Sequence, residues 1–385
     1  MNLPIDTVLP ELTRRLAEHP TLVLQAPPGA GKTTRVPLAL LAEPWMKGHK
    51  LLMLEPRRLA ARSAAHFMAA QLIDGQHKEA VGKTVGYRTR MDSRVGPQTR
   101  IEVVTEGILT RMLQRDPALE GYAAVVFDEF HERSLQADLG LALVREVQQA
   151  LRSELRILVM SATLDGSRVA ACLDNAPMII SEGRSWPVTV SYRPVPPRQD
   201  WLEHLVAQLL SIADQPEQGS LLVFLPGVAE IRRVQQRLEG RLPADLTVTP
   251  LYGDLSAAAQ DQAMAPSSTG QRKLVLATAI AETSITIEGI STVVDAGFDR
   301  RPRFDPVSGL TRLDTVRVSR AGADQRQGRA GRLGPGRCYR LWPESERLAE
   351  FALPKILDAD LGPVVLELAQ WGCGDPSTMV WLDPP

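Results

Sequence analysis

The sequence predicts an α/β protein of two tandem domains, each a parallel sheet flanked by helices, and three observations carry that prediction. Short apolar runs alternate with amphipathic stretches, the rhythm of parallel βαβ units. The rhythm breaks at a proline-rich stretch, PVTVSYRPVPP at 187 to 197, and then restarts. A chain of 385 residues, 44% of them apolar, is also too long for one ordinary core.

In the first half the strand candidates are LVL (22–24), KLLMLE (50–55), IEVVT (101–105), AVVFDE (124–129) and RILVMSAT (156–163), each followed by a helical pattern. In the second half they are LLVFLPG (221–227), TVTPLYG (247–253), KLVLATA (273–279) and TVVDAG (292–297). The boundary is expected near 184 to 197. Between Phe298 and Arg320, RRPRFDPVSGLTRLDTVRV reads as a hairpin turning at Pro306-Val307-Ser308-Gly309 and projecting from the second domain.

Composition excludes several classes. No apolar run approaches the ~20 residues of a membrane helix, and MNLPIDTVLPELTRRL lacks the layout of a signal peptide. The expectation is a soluble, cytoplasmic protein with no membrane partner. Cys172, Cys338 and Cys373 are far apart and form no CxxC pair, so neither a zinc site nor a disulfide framework is indicated. Net charge is −1, yet Arg57, Arg58, Arg62, Arg88, Arg90, Arg94 and Arg111 crowd into the first third. Phosphate contacts need local cationic surface, so a basic groove and a solvated arginine-rich face both fit.

Two stretches carry the chemistry. PPGAGKTT (27–34) follows the apolar run Leu22-Val23-Leu24, placing Gly29, Ala30, Gly31 and Thr34 in a loop between strand and helix. Such a loop turns its N–H groups toward a triphosphate, with Lys32 reaching the β/γ-phosphates and the Thr33 hydroxyl holding Mg²⁺. Ala26 occupies the position of the usual first glycine, which predicts a different loop entry with phosphate binding kept. VVFDEFHER (125–133) supplies the rest: Asp128 a carboxylate for the metal, and Glu129 a second one that can share the metal and orient or deprotonate an attacking water. Together they make a nucleotide hydrolase.

The second half has no phosphate loop but carries QRQGRAGR at 325–332. Arg329 and Arg332, three apart on an expected helix, would share a face. Facing a γ-phosphate across an interdomain cleft they would act as arginine fingers, worth ~10³ or more in rate, with Gln325 positioning the water.

Eight motifs stand in order: APPGAGKTT (26–34), EPRRLAAR (55–62), TEGILTR (105–111), DEFHER (128–133), SAT (161–163), LVFLPG (222–227), ATAIAETSITIEGISTVVDAGF (277–298) and QRQGRAGR (325–332). On these the chain resembles the superfamily 2 helicases of the DEAH/RHA group, in particular the bacterial HrpB-type ATP-dependent helicases. The resemblance implies two RecA-like domains at 1–184 and 185–349, the second bearing the hairpin. It implies the beginning of a winged-helix region at 350–385 that then stops, as in a truncated form.

By the same resemblance Lys32, Thr33, Asp128, Glu129, His131, Gln325, Arg329 and Arg332 form the hydrolysis set, and Ser161 and Thr163 link hydrolysis to domain movement. Ser284, Thr286 and Glu288 match a motif that contacts nucleotide and strand, although Glu288 stands where an Asp is common. Arg57, Arg58, Arg90, Thr105 and Thr278 would hold the backbone of one strand. Phe130 replaces the alanine of the family name and leaves the carboxylates in place. The activity implied is that of a monomeric Mg²⁺- and ATP-dependent motor moving 3′ to 5′ along single-stranded RNA.

Phosphate contacts do not separate RNA from DNA, so a DNA translocase stays open. A nucleotide-dependent RNA clamp is the rival from another class, against which Glu129, Gln325, Arg329 and Arg332 all argue. A small-molecule P-loop kinase would need no second motor domain. No adenine-specific glutamine motif precedes the phosphate loop, which points to base stacking, with Arg62 a candidate face, and to use of other NTPs besides ATP.

Overall fold

Strands buried on both faces must be apolar along their whole length, and the central runs of this chain are. In a computed structural model, which describes residues 3–74, 77–162, 166–183, 186–215, 219–282 and 287–385, these runs build two sheets in two units. One unit comprises Met1–Gly183 and Leu353–Pro385, the other Arg184–Ala352.

The first unit holds an eight-stranded sheet. Its spatial order is Met178–Ile180, Thr21–Gln25, Arg156–Ser161, Tyr122–Phe127, Lys50–Glu55, Ile101–Thr105, Val85–Arg88 and Ser93–Arg94. All neighbours pair parallel except the last two, which are antiparallel. Helices cover both faces. Leu12, Leu16, Val36, Leu40 and Ala65 pack on one, and Leu109, Leu139, Leu143 and Val144 on the other.

The expected strand over 124–129 instead spans Tyr122–Phe127. Asp128 N–H still reaches the neighbouring strand at Leu54 O, 3.0 Å away, and the strand ends because Glu129 then turns left-handed, at φ 48°. The strand at 156 likewise ends at Ser161.

The second unit holds a six-stranded sheet, all of its neighbours parallel, in the order Val188–Tyr192, Gly336–Arg340, Ile290–Asp295, Ser220–Phe224, Arg272–Ala277 and Leu246–Leu251. The proline-rich stretch is therefore more than a boundary. Val188–Tyr192 is an edge strand, flanked by Pro187 and Pro194, and edges are where prolines are tolerated. The hairpin forms as its sequence indicates: Phe298–Asp305 pairs antiparallel with Leu310–Arg317 around 306–309, and Gly309 takes the positive φ, 67°, that the turn needs.

Residues 353–385 share a core with the first unit. On the helix Gly362–Trp371, Val364 and Leu368 are buried in one cluster with Leu109, Leu113 and Phe130. Trp371 Nε1 donates to Glu146 at 2.9 Å, and Gln114 donates to Glu367. Among the described residues no helix is long and apolar enough to cross a membrane.

Candidate nucleotide and strand sites

Sheet order sorts the motifs of the first unit along one edge. Three adjacent strands, 21–25, 156–161 and 122–127, deliver at their carboxyl ends the phosphate loop, Ser161, and Asp128 with Glu129. The next three, 50–55, 101–105 and 85–88, deliver Arg57 and Arg58, Thr105, and Arg90. Ligands of parallel α/β sheets bind at that edge, because loops and helix N-termini converge there.

The phosphate loop is shaped by Gly29 at φ 83° and Gly31 at φ 94°. A side chain on Gly31 would be strained, and its Cβ would come within 2.6 Å of Leu3 Cδ1. Gly31 caps the helix Lys32–Leu40 with no side-chain acceptor, so a ligand can take the opening N–H groups. Ala30 N–H donates to Pro27 O at 3.2 Å, and Thr34 N–H returns to Gly31 O at 3.2 Å. Ala26 is wholly buried and donates to Ser161 O at 3.0 Å, so the core absorbs the missing glycine.

Four charged groups converge where the loop meets the acidic pair. Lys32 Nζ lies 3.0 Å from Glu129 Oε1. The Thr33 hydroxyl donates to Asp128 Oδ2 at 2.5 Å, and Glu129 N–H donates to Asp128 Oδ1 at 2.8 Å. Glu55, at the end of the neighbouring strand, is wholly buried beside them, and neither of its carboxyl oxygens meets a hydrogen-bond donor among the described residues.

Burial and the charges of Asp128 and Glu129 drive the Glu55 pKa well up, disfavouring its ionised form. Burial likewise pushes Asp128 up to about 6 against the pull of Lys32. Burial acts downward on Lys32, but Glu129, Asp128 and Glu55 outweigh it and hold the ammonium above its usual range. Sequence reading passed over Glu55; its signal was an acid at the end of an apolar strand, in EPRR.

His131 completes this half. Ala162 N–H donates to its Nδ1 at 3.2 Å, which leaves the ring proton on Nε2, 3.4 Å from Glu129 Oε2. Burial lowers the His131 pKa despite that carboxylate, so the ring is neutral. Ser161 is buried alongside, and Thr163 lies outside the described residues.

Of the strand-contact candidates, Arg58 and Arg90 are exposed and Thr105 caps the helix Glu106–Arg115. Arg57 donates through Nε and an Nη to Glu132 Oε2 at 3.3 and 3.1 Å. Burial and Asp92 push the Tyr87 phenol up, and the Arg62 guanidinium opposes them, which puts Arg62 near the strand Val85–Arg88.

In the second unit the helix Arg320–Gly328 stops earlier than the sequence indicates. Arg329 is its C-cap and Arg332 lies in the bend beyond, so the two do not share a helix face. The turn closes because Ala330 N–H bonds to Gln327 O at 3.0 Å and Gly331 packs where a Cβ would lie 2.6 Å from Trp186 O. Arg329 is 4% exposed and donates through Nε to Glu282 O at 2.8 Å.

A buried knot anchors this turn: Arg326 binds Asp295 Oδ1 at 2.8 Å and Glu282 Oε1 at 2.5 Å, over the Phe224 ring. Its visible signal was a third arginine in QRQGRAGR. Gln325 is half-buried on the helix, Thr278 caps the turn Ala279–Ala281, and Glu288 is exposed. Ser284 and Thr286 lie outside the described residues.

Two family models match this arrangement: a DEAD/DEAH box helicase domain over residues 7–171 and a helicase conserved C-terminal domain over 201–334. The chain belongs to the DEAD/DEAH box helicases. It is 53% identical over 386 aligned positions to the ATP-dependent RNA helicase HrpB of Escherichia coli (strain K12), covering 100% of this chain and 47% of that protein. It is 36% identical to the probable ATP-dependent RNA helicase DHX34 of Homo sapiens, covering 100% of this chain and 34% of that protein.

Crystal structures of the Escherichia coli DEAH/RHA helicase HrpB and of the E. coli DExH-box NTPase HrpB align with TM-scores of 0.93 and 0.88, both at 53% identity. The alignments cover 100% of this chain and 48% and 47% of those chains. Both units are RecA-like α/β domains, as the sequence predicts. The chain spans about half the length of the first of these relatives.

Proposed function

We propose that this chain is the motor portion of an RNA helicase, hydrolysing Mg-ATP and related triphosphates and coupling that hydrolysis to 3′ to 5′ movement along single-stranded RNA as a monomer. One observation carries the reading. Lys32, Thr33, Asp128, Glu129 and His131 meet at the carboxyl edge of one sheet, next to Arg57, Arg58, Arg90 and Thr105 on the same edge.

The donor set suits a magnesium ion, which keeps several waters and takes few protein oxygens. Thr33 and Asp128 would hold it, and a buried pocket with Asp128 and Glu129 against one ammonium, Lys32, favours a further cation. When bound, the metal would neutralise phosphate charge. The open N–H groups after Gly31 and the Lys32 ammonium would bind and orient the triphosphate. Glu129 would take the proton of the attacking water, held in place by neutral His131. Arg329 and Arg332 would meet charge growing on the γ-phosphate, and Gln325 would align the water.

Ser161, Thr163, Ser284 and Glu288 belong in this reading as residues that report nucleotide state, and Thr278 as a strand contact. Residues 350–385 are read as opening a winged-helix region. Phosphate release from Mg-ATP, measured with and without single-stranded RNA and single-stranded DNA, tests the proposal. Hydrolysis raised by RNA supports it; stimulation by DNA alone points to a DNA translocase, and no hydrolysis removes the motor reading.

A further inference from the structure

Glu132 is the acid of the DEFHER turn that no step above uses. It closes the 3-10 turn Phe130–Glu132, which the chain enters through Glu129 at φ 48° and leaves through Arg133 at φ 46°. L residues adopt left-handed backbone only where their surroundings hold them there. The bonds across the turn are short-range, Glu132 N–H to Glu129 O at 2.9 Å and Arg133 N–H to Phe130 O at 3.0 Å. Glu132 adds a long-range one, because its Oε2 accepts both N–H groups of Arg57, 75 residues away in sequence. The pair is sheltered, with side chains 25% and 13% exposed.

The two partners stand on different business. Arg57 opens the helix after the strand 50–55, in the row of strand-contact candidates, whereas the turn of Glu132 carries Glu129 and His131. The N–H groups that Arg57 gives to Glu132 are those a strand phosphate would take, so carboxylate and phosphate compete for one guanidinium.

We propose that Glu132 is a positioning residue through which strand binding reaches the hydrolytic carboxylate: a strand phosphate takes Arg57 from Glu132 and loosens the turn that holds Glu129 and His131. This rests on the reading of Arg57 as a strand contact and of Glu129 as the hydrolytic carboxylate. Glu132 touches neither phosphate nor water itself.

The test uses the 385-residue chain, a fluorescent single-stranded oligoribonucleotide, anisotropy titrations without nucleotide, and amide exchange over residues 128–134. E132Q keeps the shape and removes the competing charge. It should tighten strand binding about two- to fivefold, as expected for losing one sheltered ion pair, and raise exchange of the turn without strand to the level that strand produces in the wild type. In an R57A background the same change should leave strand affinity unmoved.

Unchanged or weaker strand binding by an E132Q protein that melts like the wild type overturns the proposal. So does an exchange pattern that strand never alters. If E132Q melts early, E132D keeps the charge on a shorter arm and should shift both readouts in the same direction, with no shift again overturning it. R57A that binds strand normally would instead remove the strand-contact reading itself, and the coupling with it.

Discussion

The Lys32 ammonium lies 3.0 Å from Glu129 Oε1, with both side chains 4% exposed. The proposed phosphate-binding cation and the proposed water-activating carboxylate are thus each other's counterion. A γ-phosphate competes for Lys32 with the group that must attack through water, so binding the nucleotide would itself free Glu129.

Lys32→Ala should weaken nucleotide binding about ten- to a hundredfold, the worth of a hydrogen bond to a charged group, and abolish turnover. Titration with a fluorescent nucleotide and phosphate release measure the two effects. Substantial residual turnover would remove the phosphate-loop assignment.

Arg329→Ala should lower turnover ~10³-fold while changing nucleotide affinity little, because a finger acts on charge that develops late. The same change frees the Glu282 carbonyl that Arg329 binds, at a cost on the order of 1 kcal/mol in stability. Turnover equal to wild type, with a lower melting temperature, would leave Arg329 purely structural.

Arg57→Ala with Arg58→Ala should reduce the log-log salt slope of strand binding by about 1.4, two contacts at ~0.7 each for single strands. Arg58 should account for more of the affinity, since it is exposed while Arg57 must first leave Glu132. An unchanged slope would place the strand elsewhere.

Glu106 gives a pH signature. It accepts from the Ser134 hydroxyl, yet burial pushes its pKa up to about 7 from an ordinary 4.5. Between those values the folded protein keeps a proton that the unfolded chain releases, so this group makes stability fall as pH rises toward 7. Glu106→Gln should therefore raise the melting temperature at pH 8, by up to about 3 kcal/mol in stability, and leave it unchanged near pH 4.5. A gain at both pH values would show packing, not ionisation, as the cause.

Long apolar strands such as Lys50–Glu55 and Ile101–Thr105 were legible because full burial demands continuous apolar sequence. Val85–Arg88, Met178–Ile180 and Gly336–Arg340 were not: each is short, and pairing rather than composition makes it a strand. Lys32, Asp128 and Glu129 could be read from motif spacing. Glu55, Glu132 and Glu282 could not, because their roles come from partners 73, 75 and 44 residues distant. The end of the helix before Arg329 was misread because packing at Gly331 overrides a locally helical pattern.

The central claim is that Glu129 activates water on a nucleotide that Lys32 and the loop hold. Glu129→Gln keeps the side-chain shape and the Asp128 carboxylate, so fluorescent nucleotide should bind within about twofold of wild type while phosphate release falls ~10²- to 10⁴-fold, the range of a lost general base. Measuring both on one preparation decides it. Binding kept with turnover gone is the predicted result; turnover kept, or binding and turnover lost together, would contradict the assignment of Glu129 as the base.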